Sequence, residues 1–367
     1  MENELIAALR RRIAQEAATE NRLLRGPGDD AAILRRVAGY LVVTTDLLSD
    51  GVDFIVGETE PELIGRKALC VNLSDLAAMG AAPHSVVVSI LLPETFGPRV
   101  RGKKGAQSVG AEGVARFAER LYDGMAPVAR RFHTAIAGGD TNSWRGGLVL
   151  SVTAMGTVAG RRALLRSGAK PGDRILTTGR FGGSIFGRQF TFTPRLLEAL
   201  YLNRYYRIHA AIDTSDGLLL DLSRLAAESG VGFRINEAKV PIHPDTAKGT
   251  TPALRAALGD GEDFELILAV PPKEAARLLA DQPFVPRRKR GGKSVLEKGS
   301  AEKSVAERIE AICEATGIAP ELAPASEAAL LTDIGEFLPK ETGTLRVTAE
   351  GKTLPITDFF GWKHFFD

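Results

Sequence analysis

Five short acidic motifs carry the chemistry open to this sequence: GDD at Gly28–Asp30, TTD at Thr44–Asp46, NLSD at Asn72–Asp75, GGDT at Gly138–Thr141 and DTSDG at Asp213–Gly217. Four follow or open apolar, strand-like runs, and Asp75 sits in an otherwise apolar helical stretch beside Asn72 and Ser74. A carboxylate that close to a core must be paired, hydrogen-bonded or metal-bound, because an isolated buried charge costs too much. Lysine and arginine are too sparse near the motifs to pair them all. Ligands that are all oxygen suit a hard cation, Mg2+ or Ca2+. EF-hand spacing is absent, so the ligands would converge from separate strands, and Mg2+ shared between carboxylates and substrate phosphates is the arrangement that fits. Any single motif reads better as a turn or a cap, as Asp216 before Gly217 does. Five in one chain do not.

The glycines of Gly138–Gly139 and of GRFGGSIFG, Gly179–Gly187, let backbone N–H groups approach a phosphate, although a tight strand–helix turn accounts for each loop nearly as well. The Walker pattern GxxxxGK[ST] is absent. GEDFEL, Gly261–Leu266, heads a strand with a further acidic pair, either an exposed strand start or a hydrogen-bond acceptor for a second substrate. Phe359, Phe360, Trp362, Phe365 and Phe366 crowd the C-terminus as a core plug or as a platform for a flat ring.

Around these motifs the chain alternates strands and helices. Strand patterns cover Tyr40–Leu48, Ser85–Leu92, Thr134–Ala137 running into GGDTN, and Leu148–Val158; helical spacing covers Pro61–Ala82 and Ala111–Phe132. A basic turn and a Pro-Gly-Asp turn at Gly160–Gly172 mark a boundary, giving expected domains at 1–160 and 161–367. Beyond it, strands are expected at Arg174–Gly179, Ala210–Ser215 and Phe264–Val270. Helices are expected to start at Gly182–Arg188 and to cover Pro194–Tyr206, the stretch after Gly217 and Lys273–Asp281.

With 367 residues, 44% hydrophobic and 25% charged, the composition is that of a soluble globular chain of about two domains. The formal charge of +2 gives no argument for nucleic acid, and the basic runs Gly97–Gly110 and Arg287–Lys303 read as solvated loops. Two cysteines make neither a disulfide framework nor a zinc site. Met1–Glu20 lacks the apolar core of a signal peptide, and no stretch reaches the ~20 apolar residues of a membrane span. A cytoplasmic protein is expected.

The strings GDDAAIL, TTDLLSDGVDF, GRKALCVNLSDLAAMGAAP, AGGDTN, LLRSGAKPGDRILTTG, AAIDTSDGLLLDL and GEDFEL occur in order across Asp29–Leu266, followed by GWKHF. In them the chain resembles the thiamine-monophosphate kinase family of the aminoimidazole-ribonucleotide-synthetase-like superfamily. The resemblance implies a two-domain α/β (α+β) fold: an N-terminal domain whose sheet forms a barrel with a second subunit, a C-terminal α/β domain, and ATP between them. Carried over by motif, Asp30, Thr44, Thr45, Asp46, Asp75, Asp140, Asp213 and Asp216 would hold several Mg2+ ions. Gly139, Asp140, Arg166 and Ser215 would touch ATP, and Asp53, Glu262 and Trp362 would face thiamine monophosphate. The chain departs from the family at Asp53, where His is usual, and at Lys363, where an acidic residue is common. Neighbouring activities in the superfamily, such as selenophosphate synthetase with its N-terminal Cys or selenocysteine, are the enzyme alternatives. A non-catalytic binder of thiamine phosphates or nucleotides is the alternative of another class.

Overall fold

In LVVTTDLLS the even-numbered residues turn inward and the odd-numbered ones outward, the period-2 signature of a strand with one buried face. This is β3 (Leu41–Ser49) in a computed structural model that describes residues 22–25, 33–35, 39–94, 111–158, 162–284, 304–319 and 330–357. The expected N-terminal helix, Asp30, both basic runs and Trp362 with its aromatic neighbours lie outside the described residues. Two short strands, β1 (Leu23–Arg25) and β2 (Ile33–Leu34), pair antiparallel. The chain divides into two compact units: Met1–Leu76, Ala81–Val158 and Phe190–Pro194 form the first, and Ala77–Gly80, Ala159–Gln189 and Arg195–Asp367 the second.

The first unit is built on a sheet of β3, β6 (Val149–Val158), β4 (Ala81–Pro93) and β5 (Ala135–Trp144), in that spatial order. Only the β4–β5 pair is parallel. Helix α1 (Pro61–Ala78) is buried nearly all round, with Ile64, Leu69, Leu73 and Leu76 fully enclosed. Each such leucine or isoleucine contributes roughly 1.5–3 kcal/mol of burial. Gly65 lets α1 meet α2 (Ala111–Arg131) backbone to backbone, since a Cβ there would lie 1.9 Å from the Leu121 carbonyl oxygen.

Two boundaries differ from the expected ones. The helix expected to reach Ala82 stops at Ala78, because Gly80 turns left-handed, donates to Ala77 O at 2.8 Å and opens β4. GGDT lies inside β5 rather than after it. A bulge pairs Val86 with Ile136 but Val87 with Gly138, absorbing Ala137 and letting the strand run on. Asp46 and Asp140 are mid-strand, and among the described motif residues Asp213 sits at a strand end.

The second unit carries seven described strands, in the order β13 (Thr353–Pro355), β12 (Thr344–Val347), β9 (Gly232–Asn236), β11 (Thr332–Leu338), β7 (Arg174–Thr177), β10 (Leu266–Val270) and β8 (Ala210–Asp213). All neighbours are antiparallel except β9 and β12. Helices α3 (Leu196–Tyr205), α4 (Leu218–Ser229), α5 (Ala253–Gly259), α6 (Pro272–Asp281) and α7 (Val305–Thr316) belong to it. Ile175, Leu222, Leu225, Phe233, Ile267 and Phe337 anchor its core. The architecture is thus mixed α and β with largely antiparallel sheets, the α+β form of the expected class.

Candidate functional site

In the first unit, Thr44 and Asp46 share the inward face of β3, opposite Asn72 and Asp75, which stand one turn apart on α1. The Thr44 hydroxyl donates to the Asp75 carboxylate in a short hydrogen bond. The Asp46 N–H donates to Asn72 Oδ1 at 3.1 Å, and Asn72 Nδ2 donates to Ala68 O at 3.0 Å. Asn72 therefore ties the strand to the helix through both halves of its amide, a role only a residue with an acceptor and a donor can fill. The fold thus brings TTD and NLSD together, far apart in sequence.

The other expected residues of this unit are placed differently. Thr45 points to the opposite face, where its hydroxyl donates to Val152 O at 3.1 Å and accepts from Thr153 at 3.1 Å. Asp140 is exposed, and its carboxylate accepts the Thr141 N–H at 2.9 Å. A Cβ on Gly139 would lie 1.7 Å from Val88 O, so strand contact alone demands glycine there. Asp53 accepts the Ser49 N–H at 2.7 Å and closes the turn after β3, while its carbonyl takes the buried Lys67 ammonium at 2.9 Å.

In the second unit, Asp213 ends β8 and is buried, and Ser215 and Asp216 form the loop before α4. Asp216 meets Arg224 at 2.5 Å. Asp221, not Asp216, serves the helix start: its carboxylate accepts from the N–H groups of Asp216 at 2.9 Å and Gly217 at 3.1 Å. Burial, then the nearby Asp216, pushes the Asp221 carboxyl up to about 6, while Arg224 pulls the other way. Its sequence signal was a lone acid in the first turn of an otherwise apolar helix. Arg166 is exposed, and its carbonyl accepts from Ser229 Oγ at 2.8 Å.

The GEDFEL segment is zipped onto this loop. Glu262 N–H donates to Ser215 O at 2.7 Å, Phe264 N–H to Thr214 O at 2.8 Å, and Glu265 N–H to Thr214 Oγ1 at 3.0 Å. Glu262 and Phe264 have φ of 59° and 50°. Such left-handed backbone in residues with a Cβ costs about 1–3 kcal/mol each and persists only where neighbours over-determine it. Those neighbours are Asp263 and Glu265, both buried. Asp263 accepts the Gly182 N–H and Arg188; Glu265 accepts the Arg195 fork at 2.6 and 2.7 Å and Thr178 at 2.7 Å. Burial raises the Asp263 carboxyl to about 7, against the pull of Arg188 and the Gly182 N–H. The Gly183 N–H is likewise taken by Asp260 at 3.0 Å. The glycine loop therefore spends these two amides on internal carboxylates, and its expected helix start becomes a 3-10 turn, Ser184–Phe186.

The donors at these positions are all oxygen, the set a hard cation takes. Among the described residues no three His, Cys, Asp or Glu side chains gather as a metal-holding group. Mg2+ commonly uses one or two carboxylates and completes its shell with substrate phosphates and water. The Asp46–Asp75 pair, steadied by Thr44 and Asn72, fits that arrangement.

The family profile of AIR synthase related protein, N-terminal domain, matches residues 28–158, and that of the C-terminal domain matches residues 161–281. Thiamine-monophosphate kinase of Rhodopirellula baltica is 38% identical over 293 residues, covering 75% of this chain and 84% of that protein. The crystal structure of thiamine-monophosphate kinase from Stenotrophomonas maltophilia K279a superposes with a TM-score of 0.66 at 29% identity, over 94% of this chain and 96% of that one. AaThiL complexed with AMPPCP and TMP shares the fold, with a TM-score of 0.62 at 24% identity over 92% of this chain and 91% of that one. The chain belongs to the AIR synthase related proteins and, within them, to the thiamine-monophosphate kinase family.

Proposed function

We propose that this protein transfers the terminal phosphoryl group of ATP to thiamine monophosphate, giving thiamine diphosphate and ADP. The observation that carries the reading is the meeting of Thr44 and Asp46 with Asn72 and Asp75, which turns two sequence motifs into one all-oxygen ligand group. The acceptor is already an anionic phosphate, so the reaction needs no strong general base and no covalent phosphoenzyme. The difficulty is bringing two polyanions into line, and several Mg2+ ions neutralise that repulsion when bound.

The residues divide the work. Asp30, Thr44, Asp46, Asp75 and Asp140 of the first unit and Asp213 and Asp216 of the second supply carboxylate and hydroxyl oxygens. Thr45 serves through its main chain, since its hydroxyl is engaged on the other face of β3. Gly139, Asp140, Arg166 and Ser215 contact the nucleotide. Asp53, Glu262 and Trp362 face the acceptor, with Asp53 acting through the turn it closes. Two histidines serve the fold: His209 pairs with Asp173 at 2.7 Å, and His243 accepts the Asp245 N–H at 3.1 Å.

The same reading makes the protein a cytoplasmic homodimer. No helix among the described residues is long and apolar enough to cross a membrane. The outward face of β3 presents Leu41, Val43 and Leu47 at 53%, 58% and 65% exposure, an apolar row on an edge strand that a second copy would cover. One assay tests the activity: ATP, Mg2+ and thiamine monophosphate, with thiamine diphosphate as the readout. Product from the monophosphate but not from free thiamine is expected. Nucleotide binding without product would replace the kinase with a sensor.

A further inference from the structure

Glu262 is pinned on both sides of its own peptide plane pair. Its N–H donates to Ser215 O at 2.7 Å, and its carbonyl accepts from Ser184 Oγ at 2.5 Å. The next residue, Asp263, is the deepest anchor of the segment. Both its carboxylate oxygens lie 3.0 Å from the Gly182 N–H, and Oδ1 accepts from Arg188 Nη2 at 2.6 Å. Arg188 also donates to Gly182 O at 3.3 Å, so one guanidinium grips both the anchor and the loop that anchors it. That loop has no slack: Gly182 is left-handed, and a Cβ on it would lie 2.7 Å from the Ala257 backbone nitrogen.

Side chains along this stretch divide in two. Asp263 and Glu265 are sunk among arginines, with side chains 1% and 5% exposed, whereas Glu262 is half-buried and carries the left-handed φ. A residue with a Cβ does not hold that conformation by preference. Something must hold it, and the contacts around Asp263 do so.

We infer that Asp263, Arg188 and Ser184 are positioning residues that fix Glu262 in its left-handed conformation and so set recognition of the cationic, amine-bearing part of the acceptor. The inference rests on the kinase reading above, in which Glu262 faces thiamine monophosphate. None of the three need touch the substrate. A carboxylate recognises an amine or a cation only when its direction is fixed before binding, and a flexible one pays for ordering at each encounter.

The test compares Asp263→Asn, Arg188→Met, Arg188→Lys and Ser184→Ala in steady-state assays with each substrate varied in turn. Asp263→Asn keeps the shape and removes the charge. It and Arg188→Met should raise KM for thiamine monophosphate about tenfold, with KM for ATP within about twofold of wild type. Arg188→Lys should recover part of the loss. Ser184→Ala deletes one hydroxyl, and should raise the acceptor KM about threefold even if Asp263→Asn fails to fold. A merely structural role would lower the melting temperature without splitting the two KM values. Folded variants with an unchanged acceptor KM, or with equal rises in both, overturn the inference while an active wild type keeps the kinase reading. A wild type that makes no thiamine diphosphate overturns both.

Discussion

The backbone N–H of Glu262 lies 2.7 Å from the carbonyl oxygen of Ser215, and this bond joins the two acidic segments of the second unit, DTSDG and GEDFEL. In the proposed reading Ser215 contacts the nucleotide and Glu262 the acceptor, and the peptide bridge between them then fixes one contact relative to the other. Gly261 makes the approach possible. It has φ of 76°, and a Cβ on it would lie 2.8 Å from that same Ser215 oxygen. Gly261→Ala should therefore separate the loops, raise KM for both substrates several-fold and cost about 1–3 kcal/mol of stability. Kinetics with each substrate varied, alongside urea unfolding, check this. A variant with wild-type constants for both substrates would detach the bridge from function.

Adjacent threonines on β3 offer a sharper contrast. Thr44 donates to Asp75 on the inner face, whereas Thr45 bonds Val152 and Thr153 on the outer one. Thr44→Val removes the hydroxyl that donates to Asp75 and should lower kcat more than tenfold. Thr45→Val keeps the main chain and should stay within about threefold of wild type, since a lost exposed hydrogen bond is worth only about 0.5–1.5 kcal/mol. The reverse order in a kinetic comparison would mean that the outer face carries the chemistry.

Asp46 and Asp75 are the carboxylates of this group, and an isosteric amide at either removes a negative ligand without changing volume. Asp46→Asn and Asp75→Asn should each reduce kcat at least 100-fold, a loss of about 2.7 kcal/mol of transition-state stabilisation. Far-ultraviolet circular dichroism should be unchanged, and excess Mg2+ should recover part of the rate. Near-normal turnover with ordinary Mg2+ dependence would remove that residue from the site.

How much of this was legible in the sequence follows from which signals are local. β3, β6, α1 and α2 announce themselves by alternation or helical spacing, and α4 by the glycine that ends it, Gly230 at φ 66°. The strands β9, β11, β12 and β13 gave no assignment. β12 and β13 are short and largely unburied, so they lack an inward face to read, and β11 is interrupted by a register shift near Gly335. The acids of the site were visible as residues but not as roles. Asp53 proved to close a turn, Asp221 rather than Asp216 serves the start of α4, and Asp263 and Glu265 act inward. Those roles depend on partners such as Ser49, Arg188 and Arg195. Spacing cannot disclose partners as distant as Arg188 and Arg195, 75 and 70 residues from their carboxylates. Asn72 stood in the motif from the start, yet its use as a two-handed tie between β3 and α1 needed the fold.

The outer face of β3 yields a test of assembly. Val43 and Leu47 are exposed on an edge strand, two residues outside the hydrogen-bonded Thr45. Replacing both with lysine adds charge to the row, a device edge strands use against pairing. The double variant should shift the mass in light scattering from dimer to monomer. A wild type that is monomeric at micromolar concentration would sink the homodimer, and an unaffected dimer would place the interface elsewhere.

The final prediction concerns pH. Burial, then the nearby Arg188, lowers the pKa of His243 below its usual 6.5, with Asp245 opposing. Burial and Arg22 lower His84 and His133 in the same direction. In each case the unfolded chain takes up protons as pH falls below about 6.5 before the folded one does. The histidine contribution to stability therefore declines with acidification, setting in below the unfolded value, while the raised carboxyls of Asp221 and Asp263 contribute in the opposite sense. The geometry at His243 has the same sign: its Nδ1 accepts the Asp245 N–H at 3.1 Å and cannot do so once protonated. Asparagine is among the best residues at such a cap and does not titrate. His243→Asn should keep the turn that starts at Pro244 and raise the melting temperature relative to wild type more at pH 5.5 than at pH 7.5. Parallel profiles for the variant and the wild type would show that this cap does not sense pH.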